Sequence, residues 1–124
     1  LARSTCLPSL TALHMDSTGI GSQGVKAIAA SQTLPKIEKL YLCSNKIGDE
    51  GAIALSQSPN LSHLTCLSIW RNEIRDAGGK AIAESKHFLK LERLYMSLNL
   101  IEKPTRKLIR SSDLASRLKT LVMD

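Results

Sequence analysis

IEKLYLCSNKIGDEGAIALSQSPNLSH, residues 37–63, decides the fold, because the segments on either side of it repeat its pattern. Upstream, in register, stands LTALHMDSTGIGSQGVKAIAASQTLPK (10–36). Downstream stand LTCLSIWRNEIRDAGGKAIAESKHFLK (64–90), LERLYMSLNLIEKPTRKLIRSSDLASR (91–117) and the opening of a fifth unit, LKTLVMD (118–124). The period is 27 residues with no insertion. A period of this length marks a chain built by stacking one supersecondary unit on the next.

Within each unit, apolar residues fall at the first, fourth and sixth places: Leu10, Leu13, Met15; Ile37, Leu40, Leu42; Leu64, Leu67, Ile69; Leu91, Leu94, Met96; Leu118, Leu121, Met123. Alternation over the last of these places predicts a short strand with one buried face. The ninth place reads Thr18, Asn45, Asn72, Asn99. A chain leaving a strand inside a core has backbone donors and acceptors to satisfy, and a short amide side chain does so. Ile20, Ile47, Ile74 and Ile101 then return the chain to the core. Ser22, Asp49 and Asp76 follow as expected helix N-caps, heading Ala-rich stretches. The fourth unit has Lys103 and Pro104 there, and proline suits a first helical turn.

LxxLxLxxN with a helix in each unit resembles the ribonuclease-inhibitor type of leucine-rich repeat, also seen in RanGAP and in the receptor part of NLR proteins. IGDEGAIAL (47–55) is similar as well to the GALA-type repeats of bacterial effectors. The resemblance implies an α/β fold: a right-handed leucine-rich-repeat solenoid, a horseshoe fragment with a parallel sheet on its concave face and helices on its convex face. The domain reading is a single unit over 1–124, comprising the end of an upstream repeat (1–9), the four repeats and the start of a fifth. Ser4, Leu7 and Pro8 align with Ser31, Leu34 and Pro35, so the chain begins in mid-repeat and reads as a fragment of a longer solenoid. Self-association through uncapped ends is then expected only as an artefact.

Composition narrows the function. With 43% hydrophobic and 23% charged residues, the chain has the make-up of a globular domain. No stretch approaches the roughly 20 apolar residues of a membrane span, so no membrane partner is expected. The net charge of +6 divides as +2, −1, +2 and +3 over 1–36, 37–63, 64–90 and 91–124. Nucleic-acid binding relies on clustered Lys and Arg, so no nucleic-acid partner is expected from that even spread. Cys6, Cys43 and Cys66 fit neither a zinc motif nor a disulfide framework, which implies reduced thiols and a cytoplasmic location, the host cytosol if the chain is a secreted effector. No cofactor or metal is expected.

The residues alternating with the buried leucines should stand in ladders on the other sheet face. These are His14, Tyr41, Ser68, Tyr95, Val122; Asp16, Cys43, Trp70, Ser97, Asp124; Ala12, Lys39, Cys66, Arg93, Thr120; and Ser17, Ser44, Arg71, Leu98. Aromatic residues make up 3% of the chain, yet its one Trp and both Tyr fall there. Trp, Tyr and Arg dominate binding hot spots, although strand propensity alone also favours aromatics. The expected partner-binding residues are Tyr41, Trp70, Tyr95, Arg71, Arg93, Lys39, His14 and Asp16, the basic ones meeting carboxylates unless Glu38 and Glu92 already pair with them. Cys43 and His14 are the one nucleophile and base pair on adjacent strands, without a third orienting group or an enclosed pocket. No enzyme is therefore expected. The recurring glycines read as tight turns into the helices rather than as a phosphate loop.

The function expected is a protein-interaction scaffold, such as an effector, an adaptor or an enzyme inhibitor, with an unidentified protein as partner. Its rivals are structural spacer repeats and a RanGAP-like GTPase regulator.

Overall fold

The computed structural model describes residues 12–32 and 36–123. Five three-residue strands, β1 (Ala12–His14), β2 (Lys39–Tyr41), β3 (Cys66–Ser68), β4 (Arg93–Tyr95) and β5 (Thr120–Val122), form one parallel sheet in sequence order. The register advances by one repeat per strand, so that Leu13, Leu40, Leu67, Leu94 and Leu121 are successive partners. Between strands run α1 (Gly21–Ala30), α2 (Gly48–Ser56), α3 (Asp76–Ala83) and α4 (Lys103–Arg110), with a short α5 (Asp113–Arg117) before β5. Each helix packs on the next, α1 on α2, α2 on α3 and α3 on α4.

The core lies between the strand leucines and the helices. Ile37, Leu40, Leu42, Leu64, Leu67, Ile69, Leu91, Leu94 and Met96 are buried, as are Val25, Ile28, Leu55, Ile82 and Ile109 from the helices. Met15, Leu118 and Leu121 depart from expectation in being only partly buried, because β1 and β5 each have one neighbouring strand. Leu10 lies outside the described residues. Phe88, in the return from α3 to β4, is fully buried. One repeat earlier Leu61 holds that place in a 3-10 turn, Pro59–Leu61; one repeat later α5 buries Leu114 instead.

The asparagines build the turn after each strand. Asn72 Oδ1 accepts from the Asn45 amide (2.8 Å), while its Nδ2 donates to the carbonyls of Leu42 (2.8 Å) and Trp70 (3.1 Å). The Thr18 amide bonds Asn45 Oδ1 (2.9 Å) and the Asn72 amide bonds Asn99 Oδ1 (2.8 Å), so each asparagine serves the preceding repeat. Thr18 departs less from the pattern than its residue type suggests. Its hydroxyl donates to the Met15 carbonyl (2.9 Å), as Asn99 Nδ2 does to that of Met96 (2.9 Å).

Two expectations about the helix starts are overturned. Ser22, Asp49 and Asp76 cap no helix of their own; Ser22 and Asp49 sit inside the first turn, and Asp76 opens α3. Instead Asp49 Oδ1 reaches the next repeat and accepts from the amides of Arg75 (2.8 Å) and Gly78 (2.9 Å), at the start of α3. Asp76 likewise accepts from the Glu102 amide (2.8 Å) ahead of α4. That bond holds the Asp76 carboxyl below its ordinary range. The glycines divide into two kinds. Gly21 and Gly48 do turn the chain, at φ of +64° and +60°, whereas Gly24, Gly51, Gly78 and Gly79 lie within helices with no room for a side chain, the first two against the isoleucine four residues earlier and the last two against a neighbouring repeat. A Cβ on Gly78 would stand 2.6 Å from Asp49 Oδ1 and 3.0 Å from the Ala52 Cβ.

Charge is concentrated on one helix, which sums over whole repeats conceal. Lys103, Arg106, Lys107 and Arg110 all belong to α4, which carries no acidic residue, and their spacing places them within one arc of the helix. Among the described residues, no helix is long and apolar enough to cross a membrane.

Candidate binding surface on the open sheet face

The sheet face turned away from the helices carries the expected ladders, in the register His14, Tyr41, Ser68, Tyr95, Val122 and Ala12, Lys39, Cys66, Arg93, Thr120. Three residues beyond each of β1 to β4 stands a left-handed residue at the same repeat position: Ser17, Ser44, Arg71 and Leu98, with φ between 54° and 58°. A non-glycine residue there is uncommon. The inter-repeat asparagine bonds hold the turn and so fix where Arg71 and Leu98 stand.

The face is less uniformly outward than the ladder reading implied. Cys66 and Ser68 are buried, being small residues between large neighbours, and Ser97 is buried as well, whereas Trp70 is 45% exposed and Tyr41 and Tyr95 are half-buried. The three aromatics do not form one continuous cluster. His14 stacks on Tyr41 with ring centroids 4.3 Å apart and planes 11° from parallel. Burial pushes the Tyr41 phenol up from its ordinary value, and the adjacent Cys66 thiol adds to the rise while Arg93 opposes it. Trp70 and Tyr95 belong to a separate feature, an open depression of about 490 Å³ lined by Ser68, Trp70, Tyr95, Ser97, Leu98 and Val122.

The charged candidates also sort differently. Lys39, Arg71 and Arg93 are exposed. Glu92 pairs with Lys119 (3.4 Å) rather than with Arg93, so the expected local neutralisation does not occur there. Asp16 is committed to the structure, since its Oδ1 accepts from the Cys43 amide (2.7 Å). Asp124 lies outside the described residues.

The Cys43 and His14 pair is not assembled. The Cys43 thiol lies 2.9 Å from the Ser68 hydroxyl, and burial pushes its pKa up, the opposite of what activates a nucleophile. His14 is occupied by its stack on Tyr41. Among the described residues, no group of three His, Cys, Asp or Glu side chains could hold a metal ion.

Two features go beyond the sequence reading. The depression arises where Leu98 and Val122 close around Trp70, and neither residue looks functional alone. Ser31, Ser58, Ser85 and Ser112 also recur at the 27-residue period, a signal from which the role of Ser58 and Ser85 could have been found, while Ser112 caps α5 instead. Ser85 Oγ donates to the Ser56 carbonyl (2.6 Å) and Ser58 Oγ to that of Ala29 (2.5 Å), tying successive helix ends together.

Compared with known proteins, the chain matches no curated protein. A family model described as leucine-rich repeat matches residues 6–29, 33–56 and 60–83, three consecutive units spanning more than half of the chain. Repeats of this kind generally mediate protein–protein interaction and are typically non-enzymatic scaffolds. With its 27-residue period, asparagine ladder and sequential parallel sheet, the chain belongs to the leucine-rich repeat family.

Proposed function

We propose that the protein binds a partner protein on the open sheet face, through Tyr41, Trp70 and Tyr95 with the basic side chains of Lys39, Arg71 and Arg93. In this reading the repeats are of the ribonuclease-inhibitor type, the chain is part of a right-handed solenoid, and the open face lines its concave side. The observation that carries the reading is the exposed Trp70 beside Tyr95, Leu98 and Val122 in one depression, which gathers three of the six exposed large apolar residues among the described ones. Exposed large apolar groups gathered in one concavity mark interaction sites far more than scattered ones do. The scaffold is already ordered by its inter-repeat bonds, so association loses little conformational entropy. His14 contributes through its stack on Tyr41, and Asp16 by holding the β2 loop rather than by touching the partner. We place the chain in a reducing, cytosolic setting, where it acts by masking or recruiting its partner.

The test is affinity capture from lysate with the wild type beside a Tyr41→Ala, Trp70→Ala, Tyr95→Ala triple variant, after both are shown to be equally folded by circular dichroism. A protein held by the wild type and lost by the variant supports the reading. Equal capture by both overturns it and favours a spacer role or binding through the helices.

A further inference from the structure

The depression beside Trp70 contains one polar group without a role. Ser97 is 6% exposed, and its hydroxyl has no hydrogen-bond partner, although Ser97 lines the depression with Trp70, Tyr95, Leu98 and Val122. The equivalent position one repeat earlier is Trp70, whose side chain is exposed; two repeats earlier it is Cys43, whose thiol finds Ser68. Buried hydroxyls are nearly always paired, so an orphan one at the base of an apolar hollow marks where a ligand group belongs. Two arginines flank the hollow, and in the depression beyond Leu98 the bases Arg71 and Lys46 outnumber the one acid, Glu73. Arg71 follows Trp70 directly and Arg93 lies on β4, both exposed, and neither forms an ion pair with a described residue. Among the described residues, no acidic side chain lines the hollow.

We propose that the depression receives a tyrosine side chain carried on an acidic segment of the partner protein. The inference rests on the open-face binding reading and adds the partner's chemistry to it. An aromatic ring fills the space between Trp70, Tyr95, Leu98 and Val122, where offset or edge-to-face contacts with two aromatic neighbours are available. Its phenol hydroxyl pairs with Ser97 Oγ once the exposed Trp70 side chain, which lines the same hollow from the equivalent place one repeat earlier, swings aside. Carboxylates flanking the tyrosine meet Arg71 and Arg93, whose guanidinium groups favour bidentate pairing. An aliphatic anchor would fill the same space but leave Ser97 unpaired, and a basic segment would meet like charge.

Trp70 is the chain's one tryptophan, so its emission reports directly on the hollow. Three capped peptides serve as probes: one tyrosine flanked on both sides by glutamates, the same peptide with phenylalanine in place of tyrosine, and the same with lysines in place of the glutamates. The tyrosine–glutamate peptide is expected to shift Trp70 emission saturably and to bind several-fold tighter than either of the others. Ser97→Ala should remove its advantage over the phenylalanine peptide, leaving the latter's affinity unchanged. That variant removes a hydroxyl that bonds nothing, so it should fold as the wild type does. The double variant Arg71→Gln, Arg93→Gln should weaken both glutamate peptides and reduce the salt dependence of their binding. Equal or tighter binding of the lysine peptide, a tyrosine advantage that survives Ser97→Ala, or no binding of any probe overturns the proposal. Loss of lysate capture in the triple variant would still stand in those cases, so failure here is distinguishable from failure of the open-face reading.

Discussion

Asn72 shows how one side chain can hold two repeats together. It makes three hydrogen bonds to backbone groups, and the two that cross the repeat boundary are buried. Removing the amide strands the Asn45 N–H and the Leu42 carbonyl away from water, at about 1–3 kcal/mol for each group left bare. Asn72→Ala is therefore expected to lower unfolding stability by several kcal/mol in urea titration, whereas Thr18→Ala, at an exposed position, should cost far less. A loss of similar size at both sites would contradict the ladder. The role of Asn72 is legible in the sequence, because an amide recurring every 27 positions where the chain leaves a buried strand points to one task. Cys43 is not so legible: on the ladder it stands diagonally to His14, yet its thiol turns to Ser68 and burial raises its pKa. Iodoacetamide labelling of Cys43 at neutral pH, followed by peptide mass spectrometry, should be much slower in the native protein than in the unfolded chain. Rapid native labelling would mean an activated thiolate.

At the scale of elements, the strands and helices follow from periodicity, but the junctions between helices do not. Asp49 and Asp76 have the residue type and spacing of local caps, and sequence spacing within one repeat cannot tell a cap on its own helix from one on the next. The structure gives them to the next helix, so the starts of α3 and α4 each depend on the helix before. Because Asp76 has a lowered folded pKa, its contribution to stability is present above the ordinary carboxylate range and is lost as the pH falls through that lowered value. The stability difference between wild type and Asp76→Asn, measured by urea unfolding, should thus shrink as the pH falls from neutral through the carboxylate range. A difference independent of pH would contradict this role. Gly78 makes the same junction a matter of space. In Gly78→Ala the new methyl group meets the Asp49 carboxylate and the Ala52 side chain, and the melting temperature should fall, with a cost of about 1–3 kcal/mol, typical of overpacking. An unchanged melting temperature would show that α2 and α3 have room to separate.

The molecule as a whole is a stack in which each repeat rests on its neighbours, with one sheet face filled by the core and the other left open. The repeat, the strand register and the identity of the outward residues are readable from the sequence, since parallel pairing at a constant period allows one alignment. Which outward residues are accessible is not readable there. Accessibility depends on whether a small residue such as Cys66 or Ser68 lies between larger neighbours, and on how Leu98 and Val122 close around Trp70, and these are properties of three adjacent strands together. The open face therefore stands or falls on Trp70. The most direct measurement is the affinity of the captured partner, by isothermal titration calorimetry, for the wild type, for Trp70→Ala and for Leu89→Ala. Leu89 is 68% exposed but lies in the return from α3 to β4, off the open face. Trp70→Ala should weaken binding by at least about 2 kcal/mol, the scale of a hot-spot residue, with Leu89→Ala matching the wild type. If Leu89→Ala weakens binding and Trp70→Ala does not, the partner sits elsewhere and the open face is not the binding site.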